Sequence, residues 1–128
     1  LKLALADASL LPKDIDFVSG HGTATVQGDI AETLATSEVL GSDVPIHSLK
    51  GYFGHMLGAC GAVEAWLTIE MMRDKKFAPN LNLNQVDERC GKLDYITGSF
   101  RDIDATHVMS NNFAFGGVNT SLIFKRSE

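Results

Sequence analysis

One α/β domain over residues 1–128, a mixed sheet packed around a buried central helix, is the fold class that the sequence predicts. Three observations carry it. Short β-rich runs alternate with helical patterns along the chain. Two of those runs end directly on residues able to do chemistry, His21 and Lys50, as strands of α/β folds do at their C-terminal ends. Between Met56 and Ile69 only Glu64 interrupts an apolar surface that runs round every face of a helix, the pattern of a helix covered on all sides.

Taken in order, Leu1, Leu5 and Ala8 fall at helical spacing before Leu10-Leu11-Pro12 closes the segment. Ile15 to Val18 reads as a strand that delivers His21-Gly22-Thr23. A helix is expected from Gly28 to Leu40, with Ile30 and Leu34 on its apolar side, Asp29 and Glu32 favouring its N-terminal dipole, and Gly41 as its stop. Val44 to Leu49 is a second strand; it delivers Lys50 and a Gly-rich loop from Gly51 to His55. The buried helix then runs from Met56 to Arg73, where Gly58, Ala59, Gly61, Ala62 and Ala65 would let a neighbouring backbone approach closely. After a surface connection over Pro79 to Glu88, residues 93–96, 107–110 and 120–124 read as strands, the last two joined through Gly116-Gly117.

Composition narrows the function classes. At 45% hydrophobic and 21% charged, the chain is an ordinary packed protein. Its net charge of −5, without Lys/Arg clusters interleaved with aromatics, excludes nucleic acid as a partner. The Met56–Ile69 run is too short to span a bilayer, and Asp7 interrupts any leader, so no membrane partner is expected. Two cysteines without CxxC spacing, Cys60 and Cys90, suggest neither a disulfide framework nor a zinc knuckle and fit a reducing cytoplasm.

Three tracts carry candidate chemistry: His21-Gly22-Thr23-Ala24-Thr25, Lys50-Gly51-Tyr52-Phe53-Gly54-His55, and Asn111-Asn112-Phe113-Ala114-Phe115-Gly116-Gly117, the last a loop between two strands. Each has a plain reading when taken alone. His21 could be a satisfied loop histidine, His55 a helix N-cap, Lys50 a solvated lysine, Phe113 and Phe115 core, and Gly116-Gly117 a tight turn. Glu64, alone on an apolar helix, needs a cationic partner.

In combination and order, these tracts resemble the C-terminal half of the β-ketoacyl-acyl-carrier-protein synthases, condensing enzymes of the thiolase superfamily. Gly54 to Ala65 is similar to the family's buried active-site helix, and Pro79-Asn80-Leu81-Asn82-Leu83 to its connection to the final strands. The Val-Gln-Gly-Asp tract after Thr25 and the tract from Val108 to Asn111 are closer to synthase types I and II than to thiolases or chalcone synthases. The resemblance implies half of a thiolase-like layered fold. His21 and His55 would bind a malonyl thioester with Lys50 beside them, and Thr23 and Thr25 would hold the pantetheine arm. Phe115 would be the gating residue whose N–H helps form the oxyanion hole, with Phe113 next to it. Two neutral imidazole donors suit an enolate oxygen, and Glu64 would pair with Lys50 and orient the cluster.

The same resemblance implies a division of labour. The family's nucleophilic cysteine, on a helix N-terminus, belongs to the other half. Cys60 and Cys90 match it nowhere and are taken as structural or incidental. The first strand of the C-terminal half is expected to be missing, the chain beginning inside the helix that follows it, and the fragment alone is expected to be inactive. Partners implied are acyl carrier protein, the N-terminal half of the synthase, and a second subunit in a homodimer or heterodimer. No cofactor is implied, since phosphopantetheine arrives on the carrier. Two further readings stay open: a non-catalytic partner subunit resembling a chain-length factor, and a metal-binding module using His21, His47, His55 and Cys60.

Overall fold

A computed structural model, which describes residues 1–127, gives a five-stranded sheet flanked by helices. The elements are α1 (Lys2–Ala8), β1 (Phe17–Ser19), α2 (Val26–Leu40), β2 (Pro45–His47), α3 (Lys50–Phe53), α4 (Cys60–Asp74), β3 (Lys76–Phe77), β4 (Asp94–Tyr95), β5 (Arg101–Asp102), β6 (His107–Ala114) and β7 (Val118–Lys125). The strand order is β4-β2-β1-β6-β7, with β3 and β5 forming a separate two-stranded ribbon. β1 runs parallel to β2 and to β6, β2 parallel to β4, and β7 turns back antiparallel on β6. The sheet is therefore mixed, as the sequence predicts.

The central strand shows why. Phe17 and Val18 are both inaccessible, so β1 is covered on both faces, and a strand so placed reads as a continuous apolar run. Side-chain alternation then divides two cores. Val18 packs with Ile46, Met109, Leu5 and Val44 on one face, and Phe17 with Val108, Met72, Phe77 and Ile96 on the other. Register follows from the same alternation, with Phe17 opposite Val108 and Val18 opposite Ile46.

Four details differ from the sequence reading. Helix α2 starts at Val26, and the side it buries is polar: Glu32, Thr33 and Thr36 face inward while Leu34 is about half exposed. The reason is tertiary, since Glu32 is engaged by the His21-Gly22 backbone. Lys50 to Phe53 form a helical turn rather than a loop. Strand β6 runs on to Ala114, so Asn111, Asn112 and Phe113 lie in a strand, and only Phe115 to Gly117 make the turn, with Gly116 and Gly117 at φ of 81° and 78°. Helix α4 buries one stripe, Cys60, Glu64, Thr68 and Met72, one residue per turn against β6. Its other sides are accessible in this chain, with Trp66 60% exposed, so the all-round apolar pattern is not matched by all-round burial. Of the small residues, Gly61 faces Asn112 on β6, whereas Gly58 faces open space. None of the described helices is long and apolar enough to cross a membrane.

Candidate active site

Strand β1 ends at Ser19, and the Gly20 N–H continues the ladder by donating to the His47 carbonyl at 2.8 Å. The chain must then turn sharply. Gly22 sits at φ 41°, and a Cβ there would lie 2.5 Å from the Ser48 Cβ, so only glycine fits. Glu32 holds the turn from α2: its Oε1 accepts the His21 N–H at 2.7 Å and its Oε2 accepts the Gly22 N–H at 2.8 Å. Burial pushes the Glu32 carboxyl up, and these two amide bonds draw it back. Ser48, after β2, donates to the Gly22 carbonyl at 3.0 Å and ties the first loop to the second.

Lys50 opens α3 with only Ser48 and Leu49 between it and β2, so the strand fixes where its ammonium reaches. Its Nζ donates to Glu64 Oε1 at 2.5 Å, the two side chains being 6% and 1% exposed. The other Glu64 oxygen accepts from Asn112 Nδ2 at 3.0 Å. Glu64 thus has the cationic partner that its position on an apolar helix requires. Lys50 Nζ also lies 3.3 Å from His21 Nδ1.

These contacts set both imidazoles. An ammonium can only donate, so His21 Nδ1 accepts and its ring proton sits on Nε2. Burial, then the charges of Lys50 and His55, lower the His21 pKa to about 4, which keeps the ring neutral at neutral pH. His55 follows Gly54, which is at φ 76°, and the Leu57 N–H donates to its Nδ1 at 3.0 Å. That ring therefore also carries its proton on Nε2. The N-cap of α4 is Ala59 and that of the preceding 3-10 turn over Leu57–Ala59 is Met56, so the plain reading of His55 as a helix N-cap fails. The two rings meet edge to face, 5.4 Å between centroids at 89°. Phe113 packs its ring 6.0 Å from that of His21.

His21, Lys50, His55, Glu64 and Phe113, drawn from separate tracts, are brought together. Thr23 and Thr25 stand at the start of α2 with their hydroxyls 3.0 Å apart. Thr25 lines a cavity of about 470 Å³ with Gly22, Asp29, Thr33, Asn80 and Tyr95, and none of His21, Lys50 or His55 borders it. Phe115 stands fully exposed on the β6–β7 turn, so its plain reading as a core residue fails. His47 is buried edge-on to Phe17 with Nδ1 2.7 Å from the Ala78 carbonyl. It does not join His21, His55 and Cys60, and no metal-holding group of His, Cys, Asp or Glu exists among the described residues.

Sequence reasoning missed three participants. The sequence gives Glu32 only as a helix-dipole residue, and its place eleven residues after His21, on the helix that follows the loop, is the one hint of the clamp. Asn112 lies inside a tract that was singled out, but its role depends on β6 continuing past Ser110. Cys60, which the sequence gives as structural or incidental, has its Sγ 3.2 Å from His55 Nδ1.

Comparison with known proteins points to one family. The family described as "Beta-ketoacyl synthase, C-terminal domain" matches residues 1–84, a span that holds His21, Lys50, His55 and Glu64. A 3-oxoacyl-[acyl-carrier-protein] synthase 2 of Staphylococcus aureus (strain COL) is 36% identical over 131 residues, covering 100% of this chain and 31% of that protein. The crystal structure of a beta-ketoacyl synthase from Burkholderia phymatum STM815 superposes with a TM-score of 0.98 at 59% identity, over 99% of this chain and 31% of that one. A type II polyketide synthase ketosynthase, solved with its acyl-carrier protein and bound to the hexaketide, superposes with a TM-score of 0.93 at 29% identity, over 99% and 32% of the two chains. This chain spans about a third of the length of these relatives. By the match over more than half of its residues, the chain belongs to the beta-ketoacyl synthase family, as its C-terminal domain.

Proposed function

We propose that this chain supplies the enolate-stabilising part of a condensing enzyme that extends acyl chains by decarboxylating Claisen condensation. The observation that carries this reading is the meeting of two Nε2-protonated imidazoles, 5.4 Å apart, beside the Lys50–Glu64 pair. Loss of CO2 from a malonyl thioester places negative charge on the thioester oxygen. Two neutral N–H donors converging on that oxygen would stabilise the charge without reorganisation, each contributing a few kcal/mol. Because His21 stays neutral, it donates without becoming a competing acid.

The carbanion then attacks an acyl thioester. Neither cysteine here supplies that thioester: Cys60 is buried against His55, and Cys90 lies in the connection before β4. The nucleophile belongs to the other two-thirds of the protein, and this chain by itself neither forms an acyl-enzyme nor condenses one. In this reading acyl carrier protein delivers the malonyl group on phosphopantetheine, Thr23 and Thr25 are assigned to hydrogen-bond that arm, and Phe115 is assigned to gate the acyl side. A second subunit completes the enzyme as a homodimer or heterodimer. The reading requires no cofactor of its own, since the leaving CO2 generates the carbanion.

The test is decarboxylation of a malonyl thioester by the complete protein. His55→Ala lowers its rate by about 10²–10³-fold, the usual loss for one oxyanion donor. An unchanged rate would instead favour the non-catalytic partner subunit.

A further inference from the structure

We propose that Cys60 is a positioning residue for His55, holding the ring in its Nε2-protonated form by pinning a strained turn. Cys60 is the first residue of α4 and is 1% exposed. Its sulfur accepts the Met56 N–H at 3.0 Å and lies 3.2 Å from His55 Nδ1. Since the Leu57 N–H already donates to that nitrogen at 3.0 Å, Nδ1 is an acceptor, and the thiol hydrogen is the group that faces it. The thiol thus takes a bond from one end of the turn and gives one to the ring.

The turn needs such a hold. Leu57 adopts φ 51°, the left-handed region that a branched side chain rarely enters, and the residue is 75% exposed, so little packing of its own fixes it there. A residue in that conformation persists where its surroundings over-determine it, and such residues gather at functional sites. Here the Met56 amide, bonded to Cys60, precedes Leu57, and the Leu57 amide bonds His55. Releasing the first contact frees the peptide adjoining the one that makes the second. One sulfur therefore governs two of the donors that fix the imidazole.

Alanine at this position removes both contacts while leaving the helix start intact, because it is small and a good helix former. Serine keeps an acceptor for Met56 and an O–H for Nδ1. The kinetic part of the proposal rests on the function inferred above; the spectroscopic part does not. In the complete protein with ¹⁵N-histidine, long-range ¹H–¹⁵N correlation spectra of Cys60 and Cys60→Ser proteins are expected to show His55 protonated at Nε2 alone. Those of Cys60→Ala should show exchange between the two neutral forms. Malonyl-thioester decarboxylation should fall about tenfold in kcat with KM unchanged in Cys60→Ala, and recover in Cys60→Ser, as expected for a misplaced donor. If the His55 signals change in Cys60→Ala but no variant, nor the parent, decarboxylates, the positioning role stands and the condensing function falls. A His55 signature identical in Cys60 and Cys60→Ala proteins overturns the proposal.

Discussion

Separating Lys50 from Glu64 is the perturbation whose size the structure defines best. The ammonium and carboxylate are 2.5 Å apart with side chains 6% and 1% exposed. At an effective dielectric near 20, that separation corresponds to an attraction of about 7 kcal/mol. Desolvating two ions costs several kcal/mol each, so the pair taken whole adds little net stability. Removing one partner is different. Glu64→Leu leaves a buried ammonium with only His21 Nδ1 nearby, and Lys50→Met leaves a carboxylate held by Asn112 alone; each should lose about 3–5 kcal/mol. The double variant, with two apolar side chains of similar volume, should recover most of that loss and lie within about 2 kcal/mol of the parent. Urea unfolding of the four proteins, with m-values compared, measures the cycle. Losses that simply add, or a Glu64→Leu loss below about 1 kcal/mol, would refute the claim that the two charges are buried for each other.

Three further outcomes follow from named contacts. Glu32→Ala strands the His21 and Gly22 amides and should destabilise the fold by about 2–4 kcal/mol, with Glu32→Gln losing less; chemical denaturation checks the order. His47, buried against Phe17, has its pKa lowered to about 4 by burial, against an ordinary value of 6.5. The unfolded chain therefore binds that proton first as pH falls. The associated stability is present above pH 6.5 and is lost toward pH 4, about 3 kcal/mol in all, and His47→Gln should flatten the stability–pH curve across that window. Phe115→Ala should change unfolding free energy by less than about 0.5 kcal/mol, because the side chain is fully exposed, and a larger loss in denaturant titration would mean that it packs.

How much the sequence shows depends on whether a residue's partner is local. The HGT tract, Lys50 and His55 are legible because each follows a strand or a glycine-bearing turn that fixes its place, and the structure brings these two tracts together. Strands β1, β2 and β6 were legible for the same reason: their apolar runs are what a doubly covered strand requires. The face of α2 was not. Ile30 and Leu34 form its apolar side, yet Glu32, Thr33 and Thr36 are what it buries, because Glu32 answers two amides far back in the chain. Ribbon β3–β5 has two residues per strand, too few for any periodicity to register. For Cys60 the sequence leaves the choice between structural and incidental open, because its partners, the Met56 amide and His55 Nδ1, meet only when the turn before α4 takes the left-handed step at Leu57.

The most direct test of the account is where a thioester oxygen binds. A crystal structure of the complete protein with a stable malonyl-thioester analogue should place that oxygen within about 2.7–3.1 Å of Nε2 of both His21 and His55. An oxygen held by one ring only, or seated in the cavity beside Thr25 and Asp29, would contradict it.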